Sequence, residues 1–162
     1  MPAASAETLQ LRTLPLEEAR LMLAGRPTAA MQAAWHPEYP LADTFEGLTW
    51  MLAAHEAMGG PDAQSPWWSY QLVVDGQTVG DIGFHGPLDD HQQVTIGYQV
   101  VPSAQRRGLA TAACAMIIQL AWSAGARRLL ASTDADNVAS QQVLRRNGFH
   151  TKDGRTFVLD KP

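Results

Sequence analysis

Val100-Val101-Pro102-Ser103-Ala104-Gln105-Arg106-Arg107-Gly108-Leu109-Ala110-Thr111 joins an apolar strand to a long apolar helix. The strand is Val94-Thr95-Ile96-Gly97-Tyr98-Gln99-Val100, and the helix runs over 109–123. Between them lies a turn with two arginines and a glycine. The turn is aimed at a helix N-terminus, where the first N–H groups have no internal partner and the helix dipole adds partial positive charge. A strand–turn–helix of this kind is an anion site, best suited to phosphate. Gly108 carries no Cβ to hold an anion away from the backbone. A dinucleotide loop fits worse, because Ser103 and Gln105 stand where it needs glycines. The plain alternative is an ordinary connection carrying a surface arginine pair.

Composition bounds the rest. The 162 residues are the length of one ordinary domain, so the expectation is a single domain over 1–162 with a flexible tail over 1–7. Hydrophobic residues make up 46% and charged residues 17%, which is globular rather than disordered. Cys114 is the one cysteine, so no disulfide forms within the chain and a reducing compartment, the cytoplasm, is expected. Its apolar neighbours read it as a small core residue. The first seven residues show neither a basic nor an apolar signal region, and no run reaches the 18 apolar residues of a membrane span, so neither secretion nor a membrane is expected.

Charge is unevenly placed. Residues 1–100 carry a net −9 and residues 101–162 a net +5, within a total of −4. A basic half suits a polyphosphate ligand and an acidic half suits a cationic acceptor, although any single charge can equally be a solvated one. The basic residues come in scattered pairs without interleaved aromatics, which argues against nucleic acid.

Taken in order, 9–14 alternates and reads as a strand. Pro15 opens a helix over 16–24 that Gly25 ends. Two helical pieces are expected at 28–34 and 44–58, and this Trp- and Met-bearing region reads as core or as one wall of a substrate groove. A loop over 59–66 follows. Strands at 67–74, 78–84 and 92–101 form an antiparallel meander, with Asp75-Gly76 as its first turn. After the long helix, 128–132 is a short buried strand, parallel to the one before because a crossover separates them. Asn137 opens a helix over 138–147 with Val143 and Leu144 inward, and Gly148 stops it. A hairpin over 149–152 and 156–159 closes the sheet. The result is a mixed α/β sandwich around one twisted sheet of about seven strands.

Gln105-x-x-Gly108-x-Ala110 after an apolar strand resembles the pyrophosphate-binding motif of the GNAT N-acetyltransferases. Asn137-Val138-Ala139-Ser140, followed by Arg145-Arg146-Asn147-Gly148-Phe149, resembles the second block of the same family. Together with Ile96-Gly97-Tyr98, it looks most like the branch that acetylates ribosomal-protein N-termini. The resemblance covers roughly 9–159. It implies acetyl transfer from acetyl-CoA to a primary amine, a peptide N-terminus or a small-molecule amine, without a covalent enzyme intermediate. It further implies that the strands near Val100 and Leu130 splay apart around the pantetheine arm, which pairs with exposed backbone at Val100 and Val101 as an added strand would. The pyrophosphate would sit on the N–H groups of Arg107, Gly108, Leu109, Ala110 and Thr111, with charge from Arg106 or Arg107 and Gln105 within the motif. Asn137 would contact the cofactor arm.

The implied chemistry has three needs. A backbone N–H near Val100 would stabilise the oxyanion. The leaving thiolate needs a proton; many family members use a tyrosine where this chain has Leu144, and Ser140 is the expected substitute. The amine must lose a proton. The family often has a glutamate where Val94-Thr95 stands, so His85, Asp89, Asp90 and His91 are the candidates. No metal is expected, and the assembly is a monomer or a homodimer. The rival readings are a non-catalytic CoA-binding or sensing domain, favoured by Leu144 and Thr95, and a nucleotide-binding module that would prefer ATP.

Overall fold

A computed structural model describes residues 8–60 and 65–162. The expected tail over 1–7, and 61–64 of the expected loop, lie outside the described residues. Among the described residues, seven strands form one open sheet: β1 (Leu9–Thr13), β2 (Ser69–Val74), β3 (Gln77–Phe84), β4 (Gln93–Val100), β5 (Arg128–Ser132), β6 (His150–Thr151) and β7 (Thr156–Asp160). Their spatial order is β1-β2-β3-β4-β5-β7-β6. The expected meander gains β1 at its outer edge, giving four antiparallel strands. Strand β2 begins two residues later than the expected 67. Trp67 and Trp68 turn inward instead: the Trp68 indole donates to the Leu14 carbonyl at 2.6 Å, and Trp67 meets Phe84 edge-on at 4.9 Å.

Among the described residues, five helices flank the sheet: α1 (Leu16–Leu23), α2 (Ala29–Ala33), α3 (Ala42–Ala57), α4 (Leu109–Ser123) and α5 (Val138–Arg146). Helix α4 has the bounds expected from its apolar run. It buries Leu109, Ala113, Cys114, Ile117, Ile118 and Ala121, a face at helical spacing. Each fully buried Ile or Leu stabilises the fold by about 1.5–3 kcal/mol. Cys114 sits in this core, and burial pushes its thiol up to about 12. Helix α3 starts two residues before the expected 44, because the Thr44 hydroxyl accepts the Leu41 N–H at 3.2 Å and caps it. It buries Thr44, Leu48, Met51 and His55 and leaves Trp50 65% exposed. In α5, Leu144 is buried and Val143 only partly so. Among the described residues no helix is long and apolar enough to cross a membrane.

The feature that positions the site is the junction of β4 and β5. Their parallel ladder joins Gln93, Val94 and Thr95 to Arg128, Leu129 and Leu130, and goes no further. Ala131 and Ser132 continue along β7. Strand β4 continues along β3 to Val100. The two halves of the sheet therefore diverge from this point.

Candidate active site

Backbone direction follows from alternation along β4. The Val101 N–H donates to Val79 on the β3 side at 2.8 Å, and the Thr95 carbonyl accepts from His85 at 2.9 Å on that same side. Polar groups of alternate residues point oppositely. The backbone of Tyr98 and the N–H of Val100 therefore face the gap that β5 has left. The Val100 carbonyl also faces it and accepts from the Gln105 amide at 2.9 Å. Gln105 is thus turned back onto its own loop, where it holds the turn after β4.

That turn is a short 3-10 segment, Pro102–Ala104, pinned from outside by Glu38. The Glu38 carboxylate accepts from the Ser103 N–H at 3.0 Å and the Ser103 hydroxyl at 2.5 Å, which lowers its pKa. Arg106 and Gly108 both take left-handed backbone, at φ 64° and 76°. Gly108 caps α4, and nothing lies within 4 Å of the place its Cβ would take. The N–H groups of Leu109, Ala110 and Thr111 form the first turn of α4 and open beside this space. Arg106 is exposed. Arg107 leans toward the β2–β3 hairpin and lines a shallow cavity of about 420 Å³ with His36, Asp75 and Gln77.

The second sequence block meets the first across the gap. Asn137 caps α5, its side chain accepting the Ser140 N–H at 3.1 Å. The Ser140 hydroxyl lies 2.9 Å from the Tyr98 hydroxyl, which also donates to the Ser140 carbonyl at 3.1 Å. Burial pushes the Tyr98 phenol up to about 12. Leu144 lies beside them, buried and without a proton to give. Asn147, at the far end of α5, donates to the Thr111 carbonyl at 3.2 Å and ties the two blocks together.

On the opposite face of β4 the chemistry differs. Asp81 on β3 faces Gln99 on β4. Its carboxylate accepts from the Thr44 hydroxyl of α3 at 2.7 Å and, through a very short contact, from the Gln99 amide. Burial pushes Asp81 up to about 7, against the hydrogen bonds that hold it. Two residues along, Gly83 pairs with Gly97. Beyond them His85 stands at the end of the strand.

One cavity of about 760 Å³ connects these places. Its wall takes Asp43, Glu46 and Trp50 from α3, Asp81 from β3 and His85 just past its end, Gly97 and Tyr98 from β4, Asn137 at the cap of α5 and Ser140 within it. Tyr98 points to α5 and Gln99 to α3, so the cavity reaches through the sheet from one face to the other. The irregular 26–66 region does supply one wall, as α3. Of the four candidate bases, His85 alone reaches the cavity. Asp89, Asp90 and His91 sit in the β3–β4 connection, where Asp89 accepts the His91 and Gln93 N–H groups at 2.8 and 2.9 Å. Sequence reasoning gave no role to Tyr98, Asp81, Thr44 or Gln99. Only the aspartate in an otherwise apolar strand could have signalled one.

Comparison with known proteins agrees with this geometry. The acetyltransferase (GNAT) domain family matches residues 8–150. YoaA of Bacillus subtilis (strain 168), an uncharacterized N-acetyltransferase, is 32% identical over 83 residues, 51% of this chain and 47% of that protein. The match therefore spans about half the length of that relative. RimJ of Mycobacterium smegmatis, solved in complex with CoA-disulfide, superimposes at a TM-score of 0.63 with 21% identity, covering 96% of this chain and 83% of that one. The ribosomal-protein-S5-alanine acetyltransferase of Vibrio fischeri gives 0.62 with 16% identity, covering 98% of each chain. At these identities the two structures speak for the fold. The family match takes in both sequence blocks and the sheet between them, and by it the chain belongs to the GNAT acetyltransferases.

Proposed function

We propose that this protein is an acetyl-CoA-dependent N-acetyltransferase, a single catalytic unit of the cytoplasm that moves an acetyl group to a primary amine by direct attack in a ternary complex. The observation that carries the reading is the gap between β4 and β5, entered from both faces of the sheet and flanked at one end by the open N-terminus of α4. The residues present fit the cosubstrate. Gly108 leaves open space at the helix start, where N–H groups and dipole favour a pyrophosphate. The unpaired edge of β4 at Tyr98 and Val100 suits the amide groups of a pantetheine arm. RimJ of Mycobacterium smegmatis, which shares the fold, was solved with a CoA species.

Acetyl-CoA supplies the activated acetyl group. The Val100 N–H, facing the gap, is a donor for the oxyanion. The Ser140 hydroxyl, held by Tyr98 at 2.9 Å, is the donor for the departing sulfur. Asn137 orders the start of α5 and contacts the arm. Arg106 adds exposed positive charge beside the helix N-terminus.

The test is a thermal-shift titration with acetyl-CoA, CoA and ATP, followed by acetylation of a panel of peptides and small amines read by thiol release. Ligand at 1,000 times its dissociation constant stabilises a protein by about 4 kcal/mol. Stabilisation by both CoA species with thiol release on an amine is expected. Stabilisation by ATP alone would overturn the reading. Leu144, buried in the cavity where many relatives carry a tyrosine, supports a second reading as a CoA-binding domain without turnover. That reading predicts the thermal shift and no thiol release on any amine.

A further inference from the structure

The α3 face of the cavity has an unusual floor. Gly83 and Gly97 lie directly opposite each other on β3 and β4. Neither carries a side chain, and neighbours close in over this patch of the cavity wall: the Trp68 carbonyl lies 2.8 Å from where a Gly83 Cβ would stand. On one side Asp81 and Gln99 close it. On the other, the His85 ring leans over it: its Nε2 lies 2.6 Å from where a Gly97 Cβ would stand. Any larger residue at 97 would displace the imidazole. This patch adjoins the open edge of β4, where Tyr98 and Val100 face the gap.

We propose that His85 takes the proton of the incoming amine, which enters the cavity beside the His85 ring and is drawn there by the acidic wall of Asp43 and Glu46. This rests on the N-acetyltransferase reading and assigns the proton acceptor that reading leaves open. The acceptor class is a cationic primary amine, entering from the α3 face while acetyl-CoA occupies the gap. The ammonium first gives one proton to His85 Nε2, and the freed nitrogen lone pair forms a bond to the acetyl carbon as the carbon–sulfur bond breaks. The second proton lost as that nitrogen becomes an amide passes to solvent. The sulfur leaves as thiolate and takes its proton from the Ser140 hydroxyl, which solvent re-protonates. No oxidant or reductant enters.

Three observations favour His85 for this step. It alone among the four candidate bases lines the cavity. Burial lowers its pKa below the ordinary 6.5, which keeps a lone pair available at neutral pH. The charged group acting on it is Glu46 of α3, which raises the pKa less than burial lowers it, while Thr95 and Gly97 across from it on β4 are neutral. Asp81, the titratable group of β3 on this face, has both carboxylate oxygens engaged by Thr44 and Gln99.

The experiment measures kcat and KM against pH for the full chain and for His85→Gln, Gly97→Ala and Glu46→Gln, with a cationic peptide and acetyl-CoA. General base catalysis contributes about 100-fold or more. Expected for His85→Gln is a fall of that order in kcat at pH 7, loss of an acid limb of kcat that lies on the acid side of an ordinary imidazole, and an unchanged acetyl-CoA thermal shift. Gly97→Ala should lower kcat similarly while still binding acetyl-CoA. Glu46→Gln should raise KM for the cationic acceptor more than it lowers kcat. An active wild type with unchanged kcat and pH profile in His85→Gln overturns this assignment and leaves the acetyltransferase reading standing. A wild type that binds CoA and acetylates no amine overturns that reading, and this one with it.

Discussion

From Gln93 to Thr95, strand β4 is paired with β5, while His85 and Asp89 of the β3–β4 connection donate to the Thr95 and Gln93 carbonyls on its other side; from Ile96 to Val100 it is paired on β3 alone. The paired end faces Leu129, which is fully buried and leads to the equally buried Phe157 of β7. The unpaired end faces hydroxyls, an imidazole and a cavity. One strand thus serves cohesion at its start and chemistry at its finish. The difference arises because β5 stays with β7 at Ala131 and Ser132 while β4 stays with β3. Substitutions at the closed end should change stability, and those at the open end should change binding or turnover.

The largest expected effect lies at the closed end. Phe157→Ala removes a side chain with no exposure and should cost about 3–5 kcal/mol in urea unfolding. A loss below ~1 kcal/mol would mean the closed end is not the stabilising one. Asp81→Asn should next remove a pH dependence. A carboxyl raised from 3.8 to about 7 stabilises the fold below its unfolded pKa, and that contribution fades as pH rises toward 7. Wild type should therefore lose roughly 1 kcal/mol per pH unit relative to the variant between about pH 4 and 7. Parallel stability curves for the two proteins would contradict the burial of the charge.

At the open end, Gly108→Asp places a carboxylate at the α4 cap and should weaken CoA binding about 100-fold or more, some 2.7 kcal/mol. Calorimetry reads it, and retained affinity would move the phosphate site elsewhere. Ser140→Ala should lower kcat about tenfold with a smaller change in acetyl-CoA affinity. Equal losses in both would make Ser140 a binding contact. The smallest effect belongs to the exposed Arg128–Asp160 pair at 2.6 Å, where Arg128→Ala should leave the unfolding midpoint unchanged.

Sequence reading reached the parts whose signals are local. Helix α4 was legible to the residue, because its apolar run begins after Gly108 and ends before Gly125. The loop and the cap at Asn137 each rest on contiguous motifs, and the splayed strands were implied by the family resemblance those motifs carry. What escaped was made by long-range contact. Tyr98 meets Ser140 from 42 residues away, and Thr44 meets Asp81 from 37. No periodicity marks either pairing. The start of β2 was misplaced because two tryptophans are good strand formers, yet tertiary packing turned both inward. Likewise the register that sets Gly83 against Gly97 becomes visible only once the hairpin is folded.

The half-finished ladder between β4 and β5 is also a sheet edge, and exposed edges are templates for aggregation. Here the edge lies between two halves of one folded sheet and lines a cavity. On the proposed function, the split sheet offers this adhesive backbone to a thin, flexible guest that carries its own amides. Amide exchange at Tyr98 and Val100 should accordingly be fast in the empty protein and slow once such a guest is seated.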